Sequence, residues 1–314
     1  RPLPEVLAMI AQERETLNEL LLYHSHTIGA ARLTPLALDS LIEAFKGLKP
    51  TKADLMLLFE EVREAVRDSR PKPIPLIRLL RLFEREFLPF TETVGFEEQR
   101  SIAIRILEEK KAIYLQKREL VTLQGLDHLK DGDSVIVHSA GSVVTNILVE
   151  ASRQRDPNFM VFVLQLDPVR TPRVAAALEE AGIPNLIVPV HDLCHYQGHA
   201  NKIFVGALTI TPDRKVVAPV GTANVLSICH VAGVESFLFA NTLHYSLGIA
   251  RTQQIGRTDF ELQDPEKSFS VTSHSHDLVE LRLFDTIVNE YGVVPKDVVG
   301  PDGRRILDPH PLTD

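Results

Sequence analysis

The stretch Asp133-Ser-Val-Ile-Val-His-Ser-Ala-Gly-Ser-Val-Val-Thr-Asn-Ile-Leu-Val-Glu150 decides the fold of this chain. Residues 134–137 are a short run rich in β-branched side chains, which is typical of a buried strand. Residues 139–142 are small and turn-forming, and residues 143–150 have the pattern of a helix. A strand, a tight turn and a helix N-terminus form an anion site in α/β sheets, because unpaired backbone N–H groups face the turn. A plain connection without a ligand explains the same residues equally well.

Composition indicates an ordinary globular protein with one large domain or two. The chain has 314 residues, 44% of them hydrophobic and 24% charged. Its net charge of −8 argues against a general nucleic-acid binder, whose affinity comes from neutralising phosphates. Cys194 and Cys229 predict free thiols in a reducing compartment. We see no signal peptide and no apolar run of membrane-spanning length, so we expect a cytoplasmic protein that does not bind a membrane. We also expect no cofactor.

The apolar pattern divides the chain into two domains. Up to residue 125 the spacing predicts helices only, which are residues 3–24, 35–48, 51–68, 77–87 and 96–120. Thr34 and Thr51 are the predicted caps of the second and third helices. From residue 126 to 314, short runs rich in Val and Ile alternate with helical segments. The predicted strands are residues 135–137, 160–164, 186–190, 203–205 and 236–240, and the predicted helices are 143–152, 171–181 and 222–232. This alternation predicts a parallel sheet with helices on both faces, hence an α/β fold.

Candidate ligand-binding residues follow the predicted strands, because ligands bind beyond the carboxyl ends of strands in such sheets. In chain order they are His138, Ser139, Gly141, Arg170, Arg173, His191, His195, Gly221 and Thr222. The two arginines can bind a phosphate, but they fit equally well as solvent-facing residues of a helix start. Gly221 and Thr222 open a helix whose N–H groups can hold an anion, and Thr222 is the predicted N-cap of that helix.

A histidine cluster admits three interpretations. His191, His195 and His199 fall four residues apart, which places them on one face if the segment is helical. Such spacing can ligate zinc when a third ligand is present. A hydrogen-bonding rim on a ligand pocket and surface histidines without a role are the other two interpretations, and we expect no metal. Residues 273–276 either face the same cleft or form a simple loop, and we favour the loop. Residues 213–215 are predicted to be the turn of a hairpin between residues 208–211 and 216–217.

Four segments occur in the order and spacing of a known family, namely residues 134–148, 201–207, 220–223 and 290–295. They resemble the superfamily of the α, β and δ subunits of eukaryotic translation initiation factor 2B, which includes methylthioribose-1-phosphate isomerase and ribose-1,5-bisphosphate isomerase. The resemblance covers residues 100–300. It implies a helical N-terminal domain, a Rossmann-like C-terminal domain and dimerisation through the latter.

The chain departs from the isomerases at their catalytic positions. The family's isomerases carry a catalytic Cys after the first strand and an Asp acting as acid or base after a later one, where this chain has Ser139 and Leu208. Isomerisation of an aldose phosphate needs a group that takes and returns a proton. A serine without a partnered base substitutes poorly for a thiol, and leucine transfers no proton. Two further departures are Ala218-Pro219 in place of Asn-Lys and Asp167 in place of an Arg.

Two functional hypotheses follow. In the first, the protein is a non-catalytic regulatory or interaction protein that pairs with itself or with paralogous subunits and binds a sugar phosphate or nucleotide. In the second, it is a sugar-phosphate isomerase in which His138, His191 or His195 serves as the base.

Overall fold

The computed structural model describes residues 30–47, 55–68, 72–138, 141–154, 158–165, 170–253, 255, 257–263 and 267–295. The predicted helix over residues 3–24 lies outside this range. The chain divides into two compact units, Arg1–Glu119 and Leu120–Asp314. The division falls six residues before the boundary expected from sequence, inside the last helix of the helical region.

The helical unit is built from amphipathic helices whose apolar faces meet around aromatic rings. These helices are α1 (Ala30–Gly47), α2 (Leu55–Asp68), α3 (Ile74–Phe87) and α4 (Phe96–Leu126), with a 3-10 turn at Leu88–Phe90 after α3. The ring of Phe83 lies 4.8 Å from that of Phe59, 5.3 Å from Phe87 and 6.2 Å from Phe45, measured between centroids. All four rings are fully buried, so they form the centre of this unit.

Two helix starts differ from their sequence predictions. Helix α1 begins at Ala30, so Pro35 lies inside it and Thr34 is not its N-cap. Leu33 lies on the same helical face as the buried Leu41 and Phe45, which follow eight and twelve residues later, and this burial outweighs the N–H that proline lacks. Helix α3 begins at Ile74, three residues early, because Pro75 sits in the first turn, where its missing N–H has no helical partner. The predicted cap Thr51 lies outside the described residues.

The second unit contains a seven-stranded sheet, and all its pairings are parallel except at one edge. Its strands are β1 (Ser134–Val137), β2 (Met160–Gln165), β3 (Asn185–Pro189), β4 (Lys202–Gly206), β7 (Glu235–Phe239), β11 (Thr286–Asn289) and β12 (Gly292–Val293). Their order is β12-β11-β7-β4-β1-β2-β3, with β12 antiparallel to β11. The five predicted strands are confirmed.

Helices cover both faces of this sheet, as the alternation predicted. They are α5 (Ser142–Gln154), α6 (Arg170–Glu180) and α8 (Thr222–Val231), and a single turn, α7 (Leu193–Tyr196), follows β3. Val135 and Val137 face a core with α5 and α6, while Ile136 faces a separate core with α8. Successive strand residues point to opposite faces, so near-continuous apolar strands require cover on both sides.

Smaller sheets accompany the main one. The predicted hairpin is confirmed, because β5 (Thr209–Ile210) pairs antiparallel with β6 (Lys215–Pro219). Strand β10 (His276–Glu280) completes this three-stranded sheet. Strands β8 (Arg257–Gln263) and β9 (Ser268–His274) form a separate hairpin. The loop predicted over residues 273–276 is therefore wrong, because its ends belong to β9 and β10. None of the described helices combines the length and hydropathy needed to cross a membrane.

Candidate functional site

The strand order reverses its direction between β1 and β4. From β1 the chain moves outward through β2 to the edge strand β3 and then returns to place β4 on the other side of β1. Ligands of open α/β sheets bind at such a switch point, outside the carboxyl ends of the two strands. His138 follows β1 there, and Gly206, Ala207 and Leu208 stand at the end of β4.

His138 packs against the start of helix α8. Its side chain is 1% exposed. Gly221, the N-cap of α8, has a φ of +88°, a conformation that glycine adopts without strain. A Cβ at this position would lie 3.7 Å from both Cε1 and Nε2 of His138. The structure therefore brings His138 and Gly221 together, although 83 positions separate them in sequence (221 − 138).

Burial makes His138 a weak base. Its removal from water lowers its pKa to about 4, while the nearby Val220 backbone and the Asp277 carboxylate oppose this shift. The nearby Val220 backbone favours the protonated form of the ring. Neither ring nitrogen, however, has a hydrogen-bond partner of good geometry among the described residues. The imidazole is consequently neutral near pH 7. Efficient proton transfer favours a pKa near the working pH, so His138 is poorly matched to general-base chemistry.

A carboxylate from the chain itself occupies the N-terminus of α8. The Ala223 N–H donates to Oδ2 of Asp277 at 3.1 Å. The Thr222 hydroxyl instead donates to the carbonyl of Pro219 at 2.5 Å, so Thr222 does not cap the helix as predicted. An incoming anion at Gly221 and Thr222 would therefore meet the negative charge of Asp277.

The N-terminus of α5 is the other predicted anion site. Ser139 and Ala140 lie outside the described residues. The Gly141 carbonyl accepts the Thr145 N–H at 3.2 Å, which makes Gly141 the residue that precedes the helix. Ser142 opens α5, and its buried Oγ finds no hydrogen-bond partner among the described residues. A polar atom and the first amides of α5 therefore lie beside the switch point.

The remaining predicted residues lie on the β2 and β3 side of the sheet. Arg170 opens α6 and is half-buried, and Arg173 is exposed in the first turn of that helix. His191 and His195 follow β3, which is an edge strand two positions from β1. Two strand spacings amount to about 10 Å. The topology therefore separates the histidine cluster from His138.

The three clustered histidines do not share one helical face. His191 lies in a 3-10 turn, His195 in the single turn α7, and His199 in a second 3-10 turn. All three are exposed, and the His191 side chain is 84% exposed. Within the described parts of the chain, no group of three or more His, Cys, Asp or Glu side chains is arranged to hold a metal ion.

Residues 201–207, one of the four segments that carry the family resemblance, begin with two side chains that join β1 to β4 at the amino ends of these strands. The Asn201 side chain accepts the Ser134 N–H at 2.9 Å and donates to Oδ1 of Asp133 at 2.7 Å. Lys202 Nζ lies 2.6 Å from Oδ2 of Asp133 and 2.8 Å from the carbonyl oxygen of His128. These contacts fix the two central strands at the end opposite His138, so their role is structural.

Sequence reasoning missed Asp277. It lies on β10, where it pairs with Ala218 of β6, 54 positions after the amide that it accepts. No local motif marks this carboxylate, because its partner belongs to another strand-helix unit. The one signal that could have drawn attention to Asp277 was a strand pattern over residues 276–280.

The family model and the related sequences agree on the family that the chain resembles. The model of the Initiation factor 2 subunit family matches residues 26–296. A putative translation initiation factor eIF-2B subunit 2-like protein of Pyrococcus abyssi is 26% identical over 262 residues, covering 82% of this chain and 89% of the relative. A ribose 1,5-bisphosphate isomerase of Pyrococcus furiosus is 22% identical over 284 residues, covering 85% and 86%.

Solved structures share the fold. A translation initiation factor eIF-2B of Pyrococcus horikoshii superposes with a TM-score of 0.73 at 20% identity, over 91% of this chain and 99% of the other. A chain of the tetrameric eIF2B-beta2-delta2 complex of C. thermophilum gives 0.66 at 15% identity, over 93% of each. That neighbour is part of a tetramer of beta and delta subunits. Because the family model matches most of the chain, from residue 26 to residue 296, the chain belongs to the Initiation factor 2 subunit family.

Proposed function

We propose that this protein is a non-catalytic, regulatory member of its family that acts in the cytoplasm. It assembles with copies of itself or with paralogous subunits through residues 126–314, and it binds a sugar phosphate or nucleotide beside the switch point. The observation that carries the proposal is that the described side chains following β1 and β4 are the buried, weakly basic His138 and the aliphatic Leu208, while the nearby Asp277 carboxylate already accepts the Ala223 N–H.

The side chains at this point support the proposal. Leu208 occupies the position of the isomerases' Asp in the family resemblance, and its backbone N–H donates to the Val217 carbonyl at 3.0 Å. Its side chain is aliphatic and cannot carry a proton. His138 is buried, with a pKa lowered to about 4 mainly by its removal from water. Ser139 stands where the isomerases have their catalytic Cys, and a hydroxyl is a much weaker acid than a thiol.

The ligand-binding part of the proposal rests on α5 rather than α8. The first amides of α5 and the Ser142 Oγ can donate to a phosphate, whereas the α8 terminus already faces Asp277. Arg170 and Arg173 open the next helix, after the neighbouring strand β2, and supply positive charge on that side. Ser139 and Gly141 complete the proposed phosphate turn.

A second candidate function is sugar-phosphate isomerisation with replacement residues. The similarity to a ribose 1,5-bisphosphate isomerase of Pyrococcus furiosus favours it. Exposed His191 or His195 would then serve as the base, since burial disfavours His138 in this role.

The decisive experiment is a turnover assay with ribose 1,5-bisphosphate and with methylthioribose 1-phosphate. We expect the purified protein to convert neither substrate above the rate in buffer. Turnover that disappears in Ser139→Ala, or in His191→Gln with His195→Gln, would overturn the non-catalytic proposal. Thermal stabilisation of the protein by inorganic phosphate, reduced in Ser142→Ala, tests the ligand site independently.

A further inference from the structure

The outer face of helix α3 in the helical unit carries arginines and no acid. The inner face packs into the core of this unit through the buried side chains of Leu76, Leu79, Leu80, Phe83 and Phe87. Because an α-helix turns about 100° per residue, residues 78, 81 and 85 lie on the side opposite these buried residues. All three are arginines. Arg78 is half-buried and makes a contact of its own, whereas Arg81 and Arg85 are exposed.

The acids that flank this face are already paired with cations of neighbouring helices. Glu84, on one flank, forms an ion pair with Arg63 of α2. Glu86, on the other flank, accepts from Lys110 of α4, whose Nζ lies 2.6 Å from Oε1 and 2.5 Å from Oε2. Within the described part of the helical unit, no carboxylate lies within ion-pair distance of either exposed arginine. Both therefore keep an uncompensated positive charge.

Exposed cations of the neighbouring helix α4 are compensated within that helix. Arg105 Nη1 lies 2.8 Å from Oε1 of Glu109, four residues later. Helix α3 instead places Arg81 three residues from Arg78 and four residues from Arg85. Like charges on successive turns of one helical face destabilise a helix. A face that retains this repulsion is suited to an external anion, which would relieve it.

An exposed leucine extends this face. Leu88 follows α3 with helical backbone angles, φ −50° and ψ −41°, so it lies on the same side as Arg81 and Arg85. Its side chain is 57% exposed. The seven residues from Arg81 to Leu88 span about 10 Å along the helix axis. The face thus offers two charged groups followed by an apolar contact, and we refer to residues 81, 85 and 88 as the α3 stripe.

We propose that the α3 stripe binds an acidic segment of a partner protein. The guanidinium group of arginine is a planar fork of N–H donors that matches the two oxygens of a carboxylate. Arg81 and Arg85, one helical turn apart, fit two carboxylates at the same spacing, and Leu88 contacts an apolar side chain beyond them. This surface is additional to the proposed self-assembly and ligand sites, because it belongs to the helical unit.

The composition of the stripe favours a protein partner over nucleic acid. A protein that holds nucleic acid through its phosphates commonly makes about six to ten such contacts. Two exposed arginines on one helix supply few of these, and Leu88 supplies none. The net charge of −8 on the whole chain also repels a long polyanion. A short acidic segment responds mainly to the local positive charge, since salt screens charges beyond about 8 Å at physiological ionic strength.

The test measures binding of a fluorescein-labelled helical peptide to the full chain by fluorescence anisotropy. The peptide carries two glutamates four residues apart and a leucine on the next turn of the same face. We expect the parent to bind it in about 50 mM salt, and Arg81→Gln with Arg85→Gln to raise Kd at least about tenfold. The matched control, Arg67→Gln with Arg105→Gln, removes two arginines that have acids on their own helices and should change Kd less than about twofold.

Two further measurements separate recognition from stability. Arg81→Gln with Arg85→Gln should be at least as stable as the parent in thermal unfolding, because it removes like-charge repulsion within α3. Weaker binding by this variant then reflects lost contacts. The same peptide with glutamine in place of both glutamates should bind the parent at least about tenfold more weakly. Leu88→Ala should raise Kd for the glutamate peptide about threefold, because it removes apolar contact area.

Four results would overturn the inference. They are failure of the parent to bind the glutamate peptide, an equal loss of binding in both double variants, equal binding of the glutamine peptide, and a preference for RNA. The last would appear as tighter binding of oligouridylate than of the peptide, lost in Arg81→Gln with Arg85→Gln. None of these results bears on turnover, on the phosphate site or on self-assembly, so the proposed function is tested separately.

Discussion

Oδ2 of Asp277 accepts the backbone N–H of Ala223 at 3.1 Å, so a strand carboxylate neutralises the positive end of a helix 54 positions earlier. The same carboxylate raises the pKa of the neighbouring His138 against the larger effect of burial. One side chain thereby influences both groups at this end of the sheet.

Removal of this carboxylate should destabilise α8. We expect Asp277→Ala to lower the free energy of unfolding by about 1–2 kcal/mol, because the helix loses both an N-terminal acceptor and a favourable charge. Asp277→Asn keeps an acceptor oxygen and should lose about half as much. Urea unfolding at pH 7 measures both changes. An Asp277→Ala variant as stable as the parent would show that water replaces the contact without cost.

His138 should make the protein sensitive to mild acid. Its pKa is about 4 in the folded chain, chiefly because of burial, and about 6.5 when unfolded. As the pH falls through 6.5 the unfolded state takes up the proton first, so stability is lost between pH 6.5 and 4. Between pH 7 and pH 5 this proton uptake lowers the free energy of unfolding by about 2 kcal/mol.

Denaturant unfolding of His138→Gln at both pH values measures this contribution. The variant should lose about 2 kcal/mol less than the parent on going from pH 7 to 5. His230→Gln is the matched control, since it removes an exposed histidine from α8. If the parent and His138→Gln show the same dependence on pH, His138 is not buried as a neutral group.

The ion pair between Lys202 and Asp133 should be strongly coupled. Burial raises the pKa of Asp133, but hydrogen bonds from Lys202, the Lys130 backbone and Asn201 together hold this pKa below its usual value. Lys202→Met leaves a buried carboxylate without its cation and should cost about 3–5 kcal/mol. The double variant Lys202→Met with Asp133→Asn should be more stable than Lys202→Met alone.

A double-mutant cycle by urea unfolding measures this coupling. Because the Asp133 pKa is lowered, its stabilisation is complete above pH 4 and is lost only as the pH falls further. Lys202→Met should move the acid transition to higher pH. Lys130→Met, which changes an exposed side chain beside the same carboxylate, is the control and should cost under about 0.5 kcal/mol.

Gly125 should resist replacement although it lies in helix α4. A Cβ at this position would lie 2.6 Å from Cγ1 of Ile147, a buried residue of α5. Alanine favours a helix by about 1 kcal/mol over glycine, but overpacking costs about 1–3 kcal/mol. We expect Gly125→Ala to be less stable than the parent in thermal unfolding.

Relief of the overlap provides the second part of this test. In the presence of Ile147→Ala, Gly125→Ala should stop being destabilising, with a coupling energy of about 1–3 kcal/mol. Gly47→Ala is the control, because a Cβ at that position of α1 would contact nothing within 4 Å. Equal effects of Gly125→Ala with and without Ile147 would contradict the close packing of the two helices.

Local pattern accounts for the parts of the fold that sequence predicted well. Residues 135–137 alternate between two cores, and this alternation is encoded in adjacent side chains. The sequence-based predictions were wrong where a contact with a distant residue decided the local structure. Thr34 has the chemistry of a cap, yet burial of Leu33 extends α1 beyond it. His276 and its neighbours have no strong strand signal, yet pairing with β6 makes them a strand.

The sequence by itself determined the helical first part, the parallel α/β second part and the strand-turn-helix at residues 133–150, because periodicities of 2 and 3.6 are properties of neighbouring residues. Only the tertiary structure decided which strand ends meet. It placed His138 against Gly221 and Asp277 against Ala223 of the same helix, and it placed His191 and His195 at the far edge of the sheet. Strand order depends on the sum of many weak, long-range packing contacts, and no single stretch of sequence records that sum.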